Sequence, residues 1–548
     1  MIVGARRLGS EFAASSRCTD TSRPRPVSEP MEIDAAQTPL LAAGCCAPLL
    51  RAATRHKFAC LLCCACMSAA LASITATLTF RAAPAMSPSF VPGWLVERLF
   101  HEDGAASCPW TKTPAADADC RWRRARLEAL RADISTCKEP LRLNEAVYAH
   151  RGAPLVAPEE TEASWEIGVR SGAGLLECDA SVTRDGHLIC RHSTCDLATT
   201  TDIVASHPDM LSRCSRPWQA AAPATGAAPA TRAEVVCCTY DFTVSELSVL
   251  CGGMESLVNS SATRRSDYLL GPPGFRSPYI ARERCHPLVP LSHFLRLARE
   301  WGVGVVPELK DTWKPEVVSF LSSIGRDIDW LAESILTQVR DAGFTAALGG
   351  AAAQRGLLQT FDPRIARRWK QLAPSHPVLF LWITDRLTRA APPCDVVHFD
   401  CATNATLAAL VGLGVEVLAP AMQLLLSSER HRLGISEGMR RLQVLIADSS
   451  SAAGAVTSTT TGTARIGTWS LERSGCPSAD PTASLGNQPA STGPCGPYWN
   501  GLQGVSAFQH ADTLLAIDAL LGAGVIGIFS DFPAAVSAVA NCRSANIT

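Results

Sequence analysis

From residue 144 onward, short runs rich in apolar and β-branched residues alternate with longer stretches whose apolar positions recur at helical spacing. The strand candidates are Val147–His150, Leu175–Asp179, Val303–Leu309, Gly356–Phe361, Val378–Ile383, Val415–Ala419, Ile466–Trp469 and Val525–Ser530. Between them, Leu291–Trp301, Ile328–Ala342 and Ala511–Ala523 carry the helical period. Repeated βα units in this number predict a (β/α)8 TIM barrel over residues 144–543. Val396–Phe399 and Val444–Ile446 are surplus strand candidates, so the assignment of strands five to seven stays open. Ahead of the barrel, Trp122, Leu127, Leu130 and Ile134 share one face of a helix over Cys120–Ile134, which is expected to pack on the main domain.

A barrel of this kind needs about 250 residues, so much of residues 144–543 must lie in loop insertions. Residues 207–290 include the Ala/Pro-rich tract Ala220–Ala230 and read as an exposed, flexible insertion. Residues 449–464, rich in Ser, Thr and Ala, read as structureless. Residues 474–500, rich in Pro, Gly and Ser, read as a long loop after a late strand, where it either shapes access to the barrel mouth or is a tolerated surface insertion.

The hydropathy pattern breaks once more near the start of the chain. Residues 58–80 contain no charged side chain; as a helix they would span about 35 Å, enough to cross a hydrocarbon core of about 30 Å. Arg51, Arg55 and Lys57 precede this span and Arg81 follows it. The bias predicts a disordered cytosolic leader (1–57), a single transmembrane signal anchor (58–80), a juxtamembrane region (81–143) and a barrel in a lumenal or extracellular compartment. A cleaved signal peptide, giving a secreted protein, is the alternative, since Ala82-Ala83-Pro84-Ala85 offers small residues. Seven of the 23 cysteines lie at or before position 66, and the even number that remains is compatible with disulfides in such a compartment. Cys237-Cys238 lacks the spacing of a zinc site. Asn259-Ser260-Ser261, Asn404-Ala405-Thr406 and Asn546-Ile547-Thr548 are glycosylation sequons. Hydrophobic residues make up 47% and charged residues 18%, with a net charge of −1. The chain can bury a large core and presents no electrostatic case for binding nucleic acid.

Glu177 and Asp179 stand at i and i+2 of one strand and therefore aim to the same side. Two adjacent carboxylates repel unless they share a proton or a cation, and oxygen ligands favour Mg²⁺, Ca²⁺ or Mn²⁺. Glu308 and Lys310 repeat the spacing on the next strand. Glu308 would close a three-carboxylate metal site, and Lys310 would lie beside an anion as a point charge. His150 and His192 flank this region and can exchange protons near neutrality. Arg151 offers a planar fork for phosphate oxygens, or for a carboxylate such as Glu159.

The ordered series His150-Arg151-Gly152, Pro158-Glu159-Glu160-Thr161, Glu177-Cys178-Asp179, Thr183-Arg184-Asp185-Gly186, Arg191-His192, Thr199-Thr200-Thr201, Pro307-Glu308-Leu309-Lys310, Leu358-Gln359-Thr360-Phe361, Trp469-Ser470-Leu471-Glu472-Arg473 and Gly527-Ile528-Phe529-Ser530-Asp531-Phe532-Pro533 resembles the glycerophosphodiester phosphodiesterase family. The resemblance implies a barrel enzyme that hydrolyses glycerophosphodiesters to an alcohol and sn-glycerol 3-phosphate. It implies His150 and His192 as proton carriers, a divalent cation (Ca²⁺ or Mg²⁺) at Glu177, Asp179 and Glu308, and phosphate contacts from Arg151 and Lys310. The sequence departs from the family pattern at Glu160, where Asn is usual, and at Ser193, where Asp usually follows the second histidine. The same barrel acting on lysophospholipids or glycolipid anchors, or serving as a non-catalytic surface binding protein, are the alternatives.

Overall fold

The computed structural model describes residues 114–544 apart from 226–228, 277–284, 346–350, 384–402, 430–431, 454–463, 474–482, 486–498, 500–501, 503–504 and 506–508. The leader, the uncharged span 58–80, the strand candidate Val396–Phe399 and the sequon at Asn546 lie outside the described residues. No described helix is long and apolar enough to cross a membrane.

Eight parallel strands close on themselves: β1 (Asn144–Ala149), β2 (Ala173–Val182), β3 (Gly304–Leu309), β4 (Leu358–Thr360), β5 (Val378–Trp382), β6 (Val417–Pro420), β7 (Arg465–Leu471) and β8 (Gly527–Ser530). Each pairs with the next, and β1 bonds to both β2 and β8, which leaves no free edge. All eight coincide with sequence candidates because such strands, covered on both faces, read as continuous apolar runs. Val444–Ile446, the other surplus candidate, lies in the helix Glu437–Ala453. That helix also takes in residues 449–453, which the Ser/Ala-rich composition had marked as structureless: small residues extend a helix when its apolar face already has a partner.

Alternation along the strands divides the core. Tyr148, Leu175, Val306, Leu379, Leu381, Val417, Ala419 and Phe529 fill the barrel interior. Leu176, Cys178, Ala180, Val305 and Leu309 point outward beneath the helices. At the closing seam the Tyr148 ring lies so near β8 that a Cβ on Gly527 would stand 2.1 Å from it, so only glycine fits there.

The segment after β2 departs from expectation. Rather than forming a flexible excursion, it builds its own core around Leu197, Ile203, Met210, Val235, Phe242, Leu250, Val258 and Leu288. Disulfides Cys195–Cys238, Cys214–Cys237 and Cys251–Cys285 tie it together. The two adjacent cysteines thus enter different bridges. From the late loop, Ala483–Leu485 adds an antiparallel strand to Leu257–Asn259, so the two insertions share one small sheet.

The helix α1 (Pro114–Thr136) packs on the barrel through Leu127, Leu130 and Ile134, as its spacing predicts. Arg126 bonds both oxygens of Asp518 at 2.7 and 2.6 Å, and Arg123 pairs with buried Asp512. The Cys137–Cys542 disulfide then joins the chain just past α1 to the helix Pro533–Cys542 that follows β8, across 405 residues of sequence. Because that loop is so long, breaking the bridge in Cys137→Ser should cost about 2–5 kcal/mol of unfolding free energy, read by denaturant titration. An unchanged midpoint would show that α1 is held by its ion pairs and apolar face alone.

Candidate active site

The strands end in a mouth crowded with charge. Gly152, at φ 90°, turns the chain after His150-Arg151, and a Cβ there would strike Ser164 at 2.4–2.7 Å. Ser164 sits in the first turn of α2 (Glu162–Arg170), capped by Thr161, and its Oγ donates to the Arg151 carbonyl while accepting the Ala153 N–H. Trp165 of the same helix donates to the Glu177 carbonyl at 2.8 Å. The helix thereby fixes the first loop against β2.

His150 is buried, and its Nδ1 lies 2.9 Å from Oδ1 of Asp531 at the end of β8. Burial raises the Asp531 carboxyl, and the hydrogen bond with His150 draws it back part of the way. Arg151, left-handed at φ 52°, donates its backbone N–H to Glu177 at 2.6 Å. Its guanidinium reaches Glu159 and Asp179, each at 3.4 Å. Arg151 thus holds Glu159, one of the two roles open to it. Arg276, from the insertion, closes on the other side of Glu159 at 2.9 Å. Burial opposes charge on Glu159, yet Arg151 and Arg276 bring its carboxyl down to about 2.

Glu177 and Asp179 are fully enclosed and point into the mouth. Burial and the neighbouring Asp179 and Glu160 charges hold Glu177 well above the usual carboxylate range. Burial would raise Asp179 too, but Lys310 at 3.4 Å and Arg151 hold it below that range. Gln359, on β4, donates to Glu177 at 3.2 Å. Glu308 stands in register with Asp179 on one side and Gln359 on the other. Its Oε1 lies 2.9 Å from Lys310 Nζ, and burial pushes its carboxyl up to about 8 despite that ammonium, with Asp179 adding to the push. Burial likewise works against the Lys310 charge, but Asp179 and Glu308 lift it above its ordinary range.

One carboxylate group brings in a residue outside the expected set. Ligand oxygens of Glu160, Glu177 and Asp179 all lie within 4.8 Å of one another, and Glu308 is not in that group. Hard oxygen donors converging in a buried site, with Glu160 Oε2 and Asp179 Oδ2 lacking hydrogen-bond partners among the described residues, fit a divalent cation.

His192 follows the hairpin strand Leu188–Cys190, and the Cys178–Cys190 disulfide joins that strand to β2. Burial first, then the charges of Arg151, Lys310, His150 and Lys314, push His192 well below its usual pKa, so it is neutral near pH 7. Ser193 lacks the carboxylate expected after this histidine, and another loop supplies one. Asp311, buried and left-handed at φ 57°, accepts from Thr194 N–H at 2.9 Å, Thr194 Oγ1 at 2.7 Å and Ser193 Oγ at 3.3 Å, and pairs with Lys314 at 3.0 Å.

All seven residues singled out from the sequence fall in this mouth. Asp531, Gln359, Arg276 and Asp311 were not singled out. Each is a common residue type whose role depends on a partner remote in sequence; only the motif position of Asp531 and Gln359 marked them.

Residues 150–428, half of the chain, match the model of the glycerophosphoryl diester phosphodiesterase family. The chain belongs to that family. Its members are phosphoric diester hydrolases, consistent with two histidines flanking a cation-ready carboxylate group. A probable glycerophosphodiester phosphodiesterase 1 of Mycobacterium tuberculosis is 50% identical over 46 residues, 8% of this chain and 17% of that protein. The aligned region thus spans less than a fifth of that relative. An "Extracellular protein" of Arthroderma benhamiae is 26% identical over 286 residues, 52% of this chain and 97% of that one. Among solved structures, a putative glycerophosphoryl diester phosphodiesterase from Silicibacter pomeroyi is 16% identical, with 75% of this chain and 96% of that one covered and a TM-score of 0.41.

The Asp311 clamp is separable from the chemistry. Asp311→Ala leaves the Thr194 N–H unpaired and should cost about 1–3 kcal/mol, with faster amide exchange at residues 192–194. Unchanged protection there would remove Asp311 as the support of this turn.

Proposed function

We propose that the protein hydrolyses glycerophosphodiesters to an alcohol and sn-glycerol 3-phosphate with the help of a divalent cation. The observation that carries this reading is the convergence of His150 (held by Asp531), neutral His192, and the Glu177–Asp179 pair in one buried mouth with Arg151 and Lys310. Glu177 and Asp179, with Glu308 by resemblance, would hold the cation, which supplies positive charge against that developing on the phosphoryl oxygens. Lys310 and Arg151 add fixed positive charge beside the phosphate. His192, kept neutral by surrounding cations, is suited to take the proton of the attacking hydroxyl. His150, whose Nδ1 faces Asp531, is suited to deliver a proton from Nε2 to the leaving alkoxide.

Glycerophosphocholine followed by ³¹P NMR should be converted to a phosphomonoester, with activity lost in EDTA and restored by Ca²⁺ or Mg²⁺. No conversion with either ion would refute the proposal, and faster turnover of lysophospholipids would move the substrate to intact lipids. His150→Ala and His192→Ala should each lose about 10²- to 10⁴-fold in rate. With a leaving group that needs no proton, the His150 variant should recover and the His192 variant should not. Since His192 must be neutral to act, the acid limb of the kcat/KM profile is expected below pH 6.5; a limb centred above 7 would contradict its assignment as the base.

We also propose that residues 58–80 anchor the protein, with the barrel lumenal or extracellular. Disulfides within the barrel and its insertion support an oxidising compartment. Asn404, exposed at the start of the helix Asn404–Gly412, is the better placed of the two described sequons, because the Asn259 amide already donates to the Asp267 carbonyl. In sealed microsomes the barrel should resist added protease and Asn404→Gln should remove a glycan shift. Digestion of the barrel from outside would reverse the orientation.

A further inference from the structure

Glu160 is the one carboxylate of the tight group that the family resemblance does not account for. It lies in the loop between β1 and α2 with φ 59°, a conformation that costs a side-chain-bearing residue about 1–2 kcal/mol. The residue is completely buried. Its Oε1 accepts the backbone N–H of Asp179 at 3.1 Å, and its Oε2 has no hydrogen-bond partner among the described residues. Asn, the usual residue at this position, would accept the same N–H without bringing a charge. A carboxylate is therefore not required at this position to fix the loop. It is placed where ligand oxygens of Glu160, Glu177 and Asp179 fall within 4.8 Å of one another, and Asp179 Oδ2 also lacks a hydrogen bond. Three enclosed carboxylates at such spacing repel strongly unless a proton or a cation lies among them. Glu308 stands beside Lys310 at 2.9 Å, and its Oε1 also lacks a hydrogen-bond partner among the described residues.

We infer that Glu160 is a further ligand of the divalent cation in this chain, added beside Glu177 and Asp179. The inference rests on the metal-assisted reading above and adds a carboxylate to those named there. Three carboxylates of hard oxygen also match Ca²⁺, Mg²⁺ or Mn²⁺ better than a softer ion.

The test is Mn²⁺ binding to the full chain, measured by calorimetry and by the electron paramagnetic resonance signal of free Mn²⁺, without reference to turnover. Glu160→Gln, nearly isosteric and still able to accept the Asp179 N–H, should weaken Kd by at least about tenfold; Glu160→Asn should do the same. Glu308→Gln should weaken it less than either. Should the Gln variant fail to fold by circular dichroism, the Asn variant decides. A Kd unchanged in the folded Glu160 variant, with binding abolished in Glu177→Gln, would overturn the assignment of Glu160 and leave the metal-assisted reading standing. A wild-type protein that binds no Mn²⁺ would overturn both.

Discussion

Burying several carboxylates in one place is the constraint around which this molecule is arranged. Glu159, Glu160, Glu177, Asp179, Glu308 and Asp531 are all enclosed at the end of one barrel. Carboxylates removed from water need cations, protons or donated hydrogen bonds, and each kind of compensation is visible. Arg151, Arg276 and Lys310 supply fixed positive charge. Backbone N–H groups of Arg151 and Asp179 supply hydrogen bonds. Burial holds the Glu177 carboxyl above the usual range, and His150 hydrogen-bonds Asp531. Oxygens of Glu160, Asp179 and Glu308 have no hydrogen-bond partner among the described residues, and there the arrangement calls for a further cation.

Local strain follows the same geography. Among the described residues, the non-glycine residues with left-handed backbone are Arg151, Glu160 and Asp311, and each places a charged side chain or a backbone donor in the mouth. Such conformations persist only where surrounding contacts over-determine them. Here those contacts are the capped α2 helix, the Cys178–Cys190 bridge beside the carboxylate pair, and the disulfide-tied insertion that delivers Arg276. The insertion is thus part of the electrostatic balance of the barrel as well as an appendage to it.

How much was legible in the sequence depended on whether the signal was local. Barrel strands are enclosed on both faces, so Leu175–Asp179 or Val378–Ile383 stand out as apolar runs whatever surrounds them. His150, Glu177, Asp179 and Lys310 announced themselves through i, i+2 spacing and motif order. The pairing of His150 with Asp531, 381 residues away, has no local trace. Nor does the Asp311 clamp, which replaces a carboxylate missing at Ser193 from a loop 117 residues downstream of Thr194. The insertion misled because Ala220–Ala230 suggests exposure, while its core comes from apolar residues spread over a wider span and joined by disulfides whose pairing composition cannot specify. Glu160 was visible as an anomaly, but its meaning required the positions of the two carboxylates beside it.

The central claim is that the buried carboxylates form a cation site at the barrel mouth. Anomalous scattering from a crystal grown with Mn²⁺ addresses it most directly. The account predicts one strong peak bonded to carboxylate oxygens of Glu177 and Asp179 at about 2.1–2.4 Å, with Glu160 in the same shell. A well-ordered mouth with no anomalous peak, or a peak held by other residues, would contradict it.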